Sequence, residues 1–241
     1  DVAPPLPPRQ RARLNVPAER VANIFAVGDI HGRLDLLLAS ERRIMDRVGS
    51  ATAPVLIVFL GDYIDRGPDS RSVIDHLTRK LPTPFYRVCL CGNHEDAFLA
   101  FMAAEKFDPA WLQSYGIDAA HMLRTDPSGK TLQQAVRHAV PPAHEKFLDQ
   151  LPVAISVGNY LFVHAGVRPG LPLAEQTDTD LMWIREPFLS KGPGIDMTVV
   201  HGHTPGAMVQ YGPNRIGIDT GAFATGKLSV LHIGPHGVAE I

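Results

Sequence analysis

At 241 residues the chain is long enough to bury one full core, and single α/β domains of this size are common. Hydrophobic residues make up 45% and charged residues 20%, with a formal net charge of −2, which argues against a nucleic-acid or anionic-membrane surface. No apolar run reaches the roughly 18 to 20 residues needed to span a bilayer, and with 2 cysteines a disulfide scaffold is excluded in favour of a reducing, cytoplasmic compartment.

The chain opens with DVAPPLPPRQRARLNVPAER. This stretch is proline-rich and basic and has no apolar h-region, so residues 1–20 read as a flexible lead-in and 21–241 as one domain. Apolar runs then end repeatedly in polar, glycine-bearing tips. NIFAV leads into GDIHG, PVLIVFL into GDYIDRGP, FYRVCL into CGNHED, YLFVH into AGVRPG, and MTVV into HGHTP. Continuous apolar runs of this length predict strands with both faces covered. Between the first two runs, Leu34, Leu37, Leu38, Ile44, Met45 and Val48 form a helical stripe; between the next two, Val73, Ile74, Leu77 and Leu81 do the same. Strand alternating with helix implies right-handed crossovers and a largely parallel core. Helical signal continues past Glu95 through Phe98, Leu99 and Met102, and the irregular stretch 103–150 reads as a helical insert beside the site. The tail, RIGIDTGAFATGKLSVLHI and GVAEI, predicts closing strands joined by glycine-rich turns.

In open α/β sheets, ligands bind beyond the carboxyl ends of the strands. The tips therefore gather Asp29, His31, Asp62, Asp65, Arg66, Asn93, His94, His164, His201 and His203 in one place. Taken singly, a Gly-Asp after a strand is a turn or a helix cap, and a histidine on an apolar strand is a packed core residue. Five such tips in series argue for a shared task instead. Carboxylate, imidazole and amide oxygen together suit a divalent first-row metal, and the donors are too many for one ion. His201 and His203 share strand parity, so both are candidates to face the metals. Asp69 and Ser70 read as caps of the following helix. His76, His121, His138, His144, His232 and His236 read as surface or structural residues. Asp219 reads equally as a supporting carboxylate or a turn.

The series GDIHG (28–32), GDYIDRG (61–67), GNHE (92–95), HAG (164–166) and GHT (202–204) resembles, in order, the motifs of the PPP-type metallophosphatases within the calcineurin-like metallophosphoesterases. The likeness spans about residues 22 to 233 and is greatest to the small bacterial serine/threonine protein phosphatases, through LFVHAGVRPGLPLAEQ, LMWIRE and IDTGA. It implies a four-layer α/β/β/α metallophosphoesterase sandwich, with 21–241 as the catalytic domain. It also implies two divalent ions, manganese first, with iron, zinc, nickel or cobalt as options. Asp29 and His31 would bind one ion with Asp62, which bridges to the second; Asn93, His164 and His203 would complete the second site, leaving His201 as a supporting or core residue. His94 would protonate the leaving alkoxide, oriented by Asp65, while Arg66 and Arg185 would grip the phosphoryl oxygens. A metal-bound hydroxide would attack phosphorus in line, without a phosphoenzyme.

The implied substrate is phosphoserine or phosphothreonine in a protein, with no nucleic-acid or membrane partner. A symmetrical diadenosine tetraphosphate hydrolase is the alternative. Those enzymes typically carry Asp where this chain has Glu95, which favours the protein phosphatase. A non-catalytic scaffold is a third reading, against which stand His94, Asp65 and the full ligand set. One departure from the family pattern is Cys91, which stands where a basic residue usually precedes GNHE. A thiol this close to the metals is a candidate for oxidation, whereas Cys89 and Cys91 are too close together for a disulfide and too few for a metal site.

Overall fold

The computed structural model describes residues 10–50, 52–103 and 140–241. Its elements, in chain order, are β1 (Arg13–Val16), β2 (Asn23–Val27), α1 (Leu34–Val48), β3 (Val55–Phe59), α2 (Ser70–Leu77), β4 (Phe85–Cys89), α3 (Asn93–Ala103), α4 (Pro142–Asp149), β5 (Ala154–Val157), β6 (Tyr160–Val163), α5 (Asp178–Trp183), α6 (Phe188–Lys191), β7 (Thr198–His201), β8 (Gln210–Gly212), β9 (Arg215–Gly217), α7 (Ala222–Thr225), β10 (Val230–Gly234) and β11 (Gly237–Glu240).

Successive side chains of a strand point to opposite faces, and here both faces are buried. Ile24, Ala26, Leu56, Val58 and Leu60 join Ile155, Val157, Phe162, Val200 and Ile216 in an inner apolar cluster between two sheets. Phe25, Val27, Val55, Ile57 and Phe59 join Leu37 and Ile44 of α1 and Val73, Ile74 and Leu77 of α2 in an outer one. On the second sheet, Leu161, Val163 and Val199 belong with Leu181, Met182 and Phe188 of α5 and α6. Helix, sheet, sheet, helix is therefore the layer order, as the sequence predicts.

The two sheets run β11-β10-β2-β3-β4 and β1-β5-β6-β7-β9-β8. Pairing is mixed, in contrast to the largely parallel core expected. Strands β2, β3 and β4 are mutually parallel, as are β6, β7 and β9, but β5, β8, β10 and β11 enter antiparallel. The tail contains a short helix, α7, between β9 and β10 where strands and turns alone were expected. Of the predicted insert, 104–139 lies outside the described residues. Its end forms α4, which packs on α2 and α3 in the helix layer.

The lead-in is the clearest correction. Residues 1–9 lie outside the described residues, but 10–20 are not a loose tail. β1 pairs in parallel with β5, and Arg11 is buried. Its Nη1 donates to the carbonyls of Leu148, Asp149 and Leu151 at 3.2, 3.1 and 3.0 Å, capping the end of α4. Its backbone N–H donates to Asp178, which Arg13 also meets at 2.8 Å. The basic residues of the expected flexible lead-in are donors to helix-terminal carbonyls and a carboxylate.

Several histidines prove structural. His76 meets the buried Glu41 at 2.6 Å, and Arg87 meets the same carboxylate, tying α1, α2 and β4 together. His144 bonds Asp75 at 2.7 Å, and His232 stacks on Phe25. His236 is exposed; His121 and His138 lie outside the described residues.

Arg11→Ala should lower stability in urea denaturation by about 2–3 kcal/mol, the cost of stranding buried carbonyls that had a charged donor. A loss within about 0.5 kcal/mol, as for an ordinary surface substitution, would contradict the role given to Arg11.

Candidate metal centre

Parallel β2, β3 and β4 in one sheet and β6, β7 and β9 in the other deliver their carboxyl ends to a common edge, where backbone bonds knit the tips. Ile30 and His31 N–H both donate to the Asp62 carbonyl at 3.1 and 2.8 Å, Gly32 N–H donates to Tyr63 O, and Gly202 N–H donates to His164 O. Contacts also cross between the sheets. His203 N–H donates to the Asp29 carboxylate at 3.1 Å, and His164 Nδ1 lies 2.9 Å from Leu60 O.

The tips are strained where the chemistry sits. Positive φ outside glycine occurs, among the described residues, at His31 (44°), Asp62 (52°), Asp65 (67°), Arg66 (66°), His203 (64°) and the hairpin residue Asn214 (48°). Left-handed backbone costs about 1 kcal/mol or more per residue and persists only where the surroundings enforce it. Glycines admit the close approaches: a Cβ on Gly92 would collide with the Asp62 carboxylate, and one on Gly202 with that of Asp29.

Asp62 is the hub. Its carboxylate lies 3.5 Å from His31 Nε2, 3.9 Å from His94 Nε2 and 3.4 Å from His164 Nε2. Asn93 Oδ1 lies 2.9 Å from His164 Nε2 and 2.8 Å from His203 Nδ1. Two groups of donor atoms, each within 4.8 Å of one another, therefore share Asp62: His31, Asp62 and His94 on one side, and Asp62, His164 and His203 on the other. Asp29 stands outside both groups, and its carboxylate accepts the His203 N–H.

The protonation pattern tests whether cations fit. Burial pushes His31 down to about 3 and lowers His164 and His203, the last two also under the positive charge of Arg185. These rings are neutral, with one proton each. His31 and His164 place that proton on Nδ1, donating to Ile64 O and Leu60 O at 2.9 Å. Their Nε2 lone pairs thus face carboxylate and amide oxygens with no proton to share, an arrangement that a cation satisfies. Ligands about 2.1 Å from an ion stand about 3 Å apart around it, which matches the spacings seen. Burial works against ionising Asp62, but positive charge on the surrounding rings, carried by His94, holds it below the usual carboxylate range.

His94 behaves differently. Burial lowers it, yet Asp62 and Asp65 raise it further, and its Nδ1 bonds Asp65 Oδ2 at 2.8 Å. Asp65 is fully buried, and its N–H donates to Ser70 Oγ at 2.9 Å. Ser70 is therefore not a helix cap, and Asp69 makes no side-chain cap bond either. Burial pushes Asp29 well up, with Asp219 and Asp62 adding to it, and pushes Asp219 up to about 6. Asp219 also accepts the Gly221 N–H at 2.8 Å, so it is both a turn residue and a neighbour of the site.

His201 faces away. β7 ends at His201, and the left-handed turn at His203 breaks the shared parity expected. The His201 ring packs edge-on against Phe188 at 5.0 Å in the outer layer. Arg66 and Arg185 are exposed at the rim. Glu95, taken from the sequence as a guide to substrate, is fully buried: it accepts N–H groups of Asp62, Gly92 and Tyr63 at 2.8, 2.9 and 2.7 Å and binds the motif loops to α3. Burial and Asp62 push it up to about 8. Its side chain touches the loops, not the rim. Its position one residue after His94 marked it, but its partners are backbone and leave no trace in sequence. Cys91 is also fully buried, and burial pushes its thiol well up, with Cys89 at about 12. Its readiness for oxidation is not supported, since the thiolate is the reactive form.

The model of one family, described as calcineurin-like phosphoesterase, matches residues 22–228. Serine/threonine-protein phosphatase 2 of Escherichia coli (strain K12) is 28% identical over 231 residues, covering 90% of this chain and 95% of that one. The asymmetrical bis(5′-nucleosyl)-tetraphosphatase PrpE of Oceanobacillus iheyensis is 27% identical over 224 residues, 86% of each chain. In structure, a cold-active protein-tyrosine phosphatase of a psychrophilic Shewanella superposes with a TM-score of 0.63 at 14% identity, over 96% of this chain and 80% of that one.

With both thiols buried, the folded protein should not react with a thiol reagent, and both should react after denaturation. Labelling of Cys91 in the native state, located by peptide mapping, would contradict the inert role given to it.

Proposed function

The chain belongs to the calcineurin-like phosphoesterases, and we propose that it is a phosphomonoesterase that uses two divalent cations to release phosphate from phosphoserine and phosphothreonine in proteins. One observation carries the reading. His94 stands beside the shared carboxylate Asp62 with its far nitrogen held 2.8 Å from a second, buried carboxylate, Asp65. That is the arrangement of a proton donor next to a pair of cation sites.

Asp29 and His31 with Asp62 would hold one cation, and Asp62, Asn93, His164 and His203 the other. Bound there, the pair supplies a lowered pKa for an attacking water and neutralises charge spread over the transferring phosphoryl. Manganese is the first expectation, and iron, zinc, nickel or cobalt suit the same donors. His94 gives its proton to the leaving alkoxide, and Asp65 keeps the imidazolium oriented and charged. Arg66 and Arg185, exposed where the ligands are buried, offer bidentate forks to the phosphoryl oxygens.

A second reading, hydrolysis of a dinucleoside polyphosphate, has specific support. A relative named for that activity is 27% identical, against 28% for one named a serine/threonine phosphatase, and it is the asymmetrical enzyme, not the symmetrical one that the motifs suggested. Glu95 no longer weighs against it, since its carboxylate is spent on backbone N–H groups. A non-catalytic scaffold is disfavoured by retention of His94, Asp65 and every ligand residue.

His94→Asn should keep the metal content, measured by elemental analysis, while kcat falls about 10²- to 10⁴-fold, the usual worth of a general acid. Loss of metal would make His94 a ligand instead. Comparing kcat/KM for a phosphoserine peptide and for diadenosine tetraphosphate should favour the peptide; a preference of several orders of magnitude for the nucleotide would replace the first reading by the second.

A further inference from the structure

Phe223 is a large apolar side chain left 36% exposed at the mouth of the site. Its ring stands edge-on against His31, with centroids 5.5 Å apart at 87°, and presents its face to the guanidinium of Arg66, 4.8 Å from the centroid. The turn that carries it is firmly held. Gly221 takes left-handed backbone and donates its N–H to Asp219, and the Thr225 hydroxyl donates to Thr220 O at 2.8 Å. Arg33, from the loop that bears His31, donates to the Ala222 carbonyl at 3.0 Å and is itself braced by a two-pronged pair with Asp35.

Arg66 has the opposite character. It is exposed, its backbone is left-handed, and its charge is felt by Asp219 without a close ion pair among the described residues. A long, unrestrained arginine loses considerable rotamer freedom when it binds an anion. A guanidinium resting on an aromatic face has already lost part of it.

We infer that Phe223 is a positioning residue for phosphoryl capture, holding Arg66 over the cation sites through its ring face while its edge leans on His31. Contacts at its edge and on its face favour this ring position, and with it one presentation of the arginine fork. The inference rests on the phosphoryl-binding reading of Arg66, and the test separates the two.

The full-length, manganese-loaded protein is assayed with p-nitrophenyl phosphate, and inhibition by inorganic phosphate is measured alongside. Phe223→Leu keeps apolar bulk and removes the π face. It should raise KM and the phosphate inhibition constant together by about two- to fivefold, the worth of an exposed cation–π contact, with kcat within about twofold. Phe223→Tyr should restore wild-type constants. Arg66→Ala should raise both constants further, and adding Phe223→Leu to it should change nothing more. Unchanged constants in Phe223→Leu, the same rise in the Arg66→Ala background, or no rescue by tyrosine would overturn the inference alone. Unchanged constants in Arg66→Ala would overturn the role of Arg66 itself, and the inference with it.

Discussion

The Asp62 carboxylate faces Nε2 of His31, His94 and His164 at 3.5, 3.9 and 3.4 Å, and two of those nitrogens have no proton to offer it. The single N–H of each ring is donated to Ile64 O or Leu60 O. In a buried site, lone pairs opposed in this way are destabilising. Positive charge placed between them reverses the sign of each contact. Much of the surrounding structure can be understood as the means of holding these acceptors in place despite their mutual repulsion.

The two-sheet core provides that means. Strand tips from both sheets meet, hydrogen-bond to one another and force left-handed backbone on His31, Asp62, Asp65, Arg66 and His203. Glu95 adds a buried carboxylate that takes N–H groups from the loop after β3 and from Gly92, so the loops cannot relax independently. The rigid part of the site is thus the part that would hold cations, whereas the arginines that would meet substrate stay at the rim. Such a division suits a phosphoesterase whose relatives are named both serine/threonine-protein phosphatase and bis(5′-nucleosyl)-tetraphosphatase.

The site was legible because strand ends converge whatever their spacing in sequence. Asp29, His31, Asp62, Asn93, His164 and His203 each follow an apolar run, and that alone placed them at one edge. What stayed hidden depends on partners that sequence does not display. Arg11 and Arg13 fell within the expected flexible lead-in because the helix-end carbonyls and Asp178 they reach lie more than a hundred residues away. The β5 strand is four residues long and follows the stretch read as an insert, so no periodicity announced it. His201 and His203 could not be told apart by alternation, because a left-handed residue at 203 breaks the strand geometry on which alternation rests. Ser70 looked like a helix cap because a hydroxyl at that position usually is one; its acceptor role toward Asp65 needs the folded turn.

Diffraction from manganese-loaded crystals, with anomalous differences collected near the manganese edge, addresses the central claim directly. Two peaks about 3.5 to 4 Å apart, one on either side of the Asp62 carboxylate, are expected, with the second within reach of Asn93, His164 and His203. A single peak remote from Asp62, or no peak at saturating manganese, would contradict the idea that these acceptors are assembled for a pair of cations.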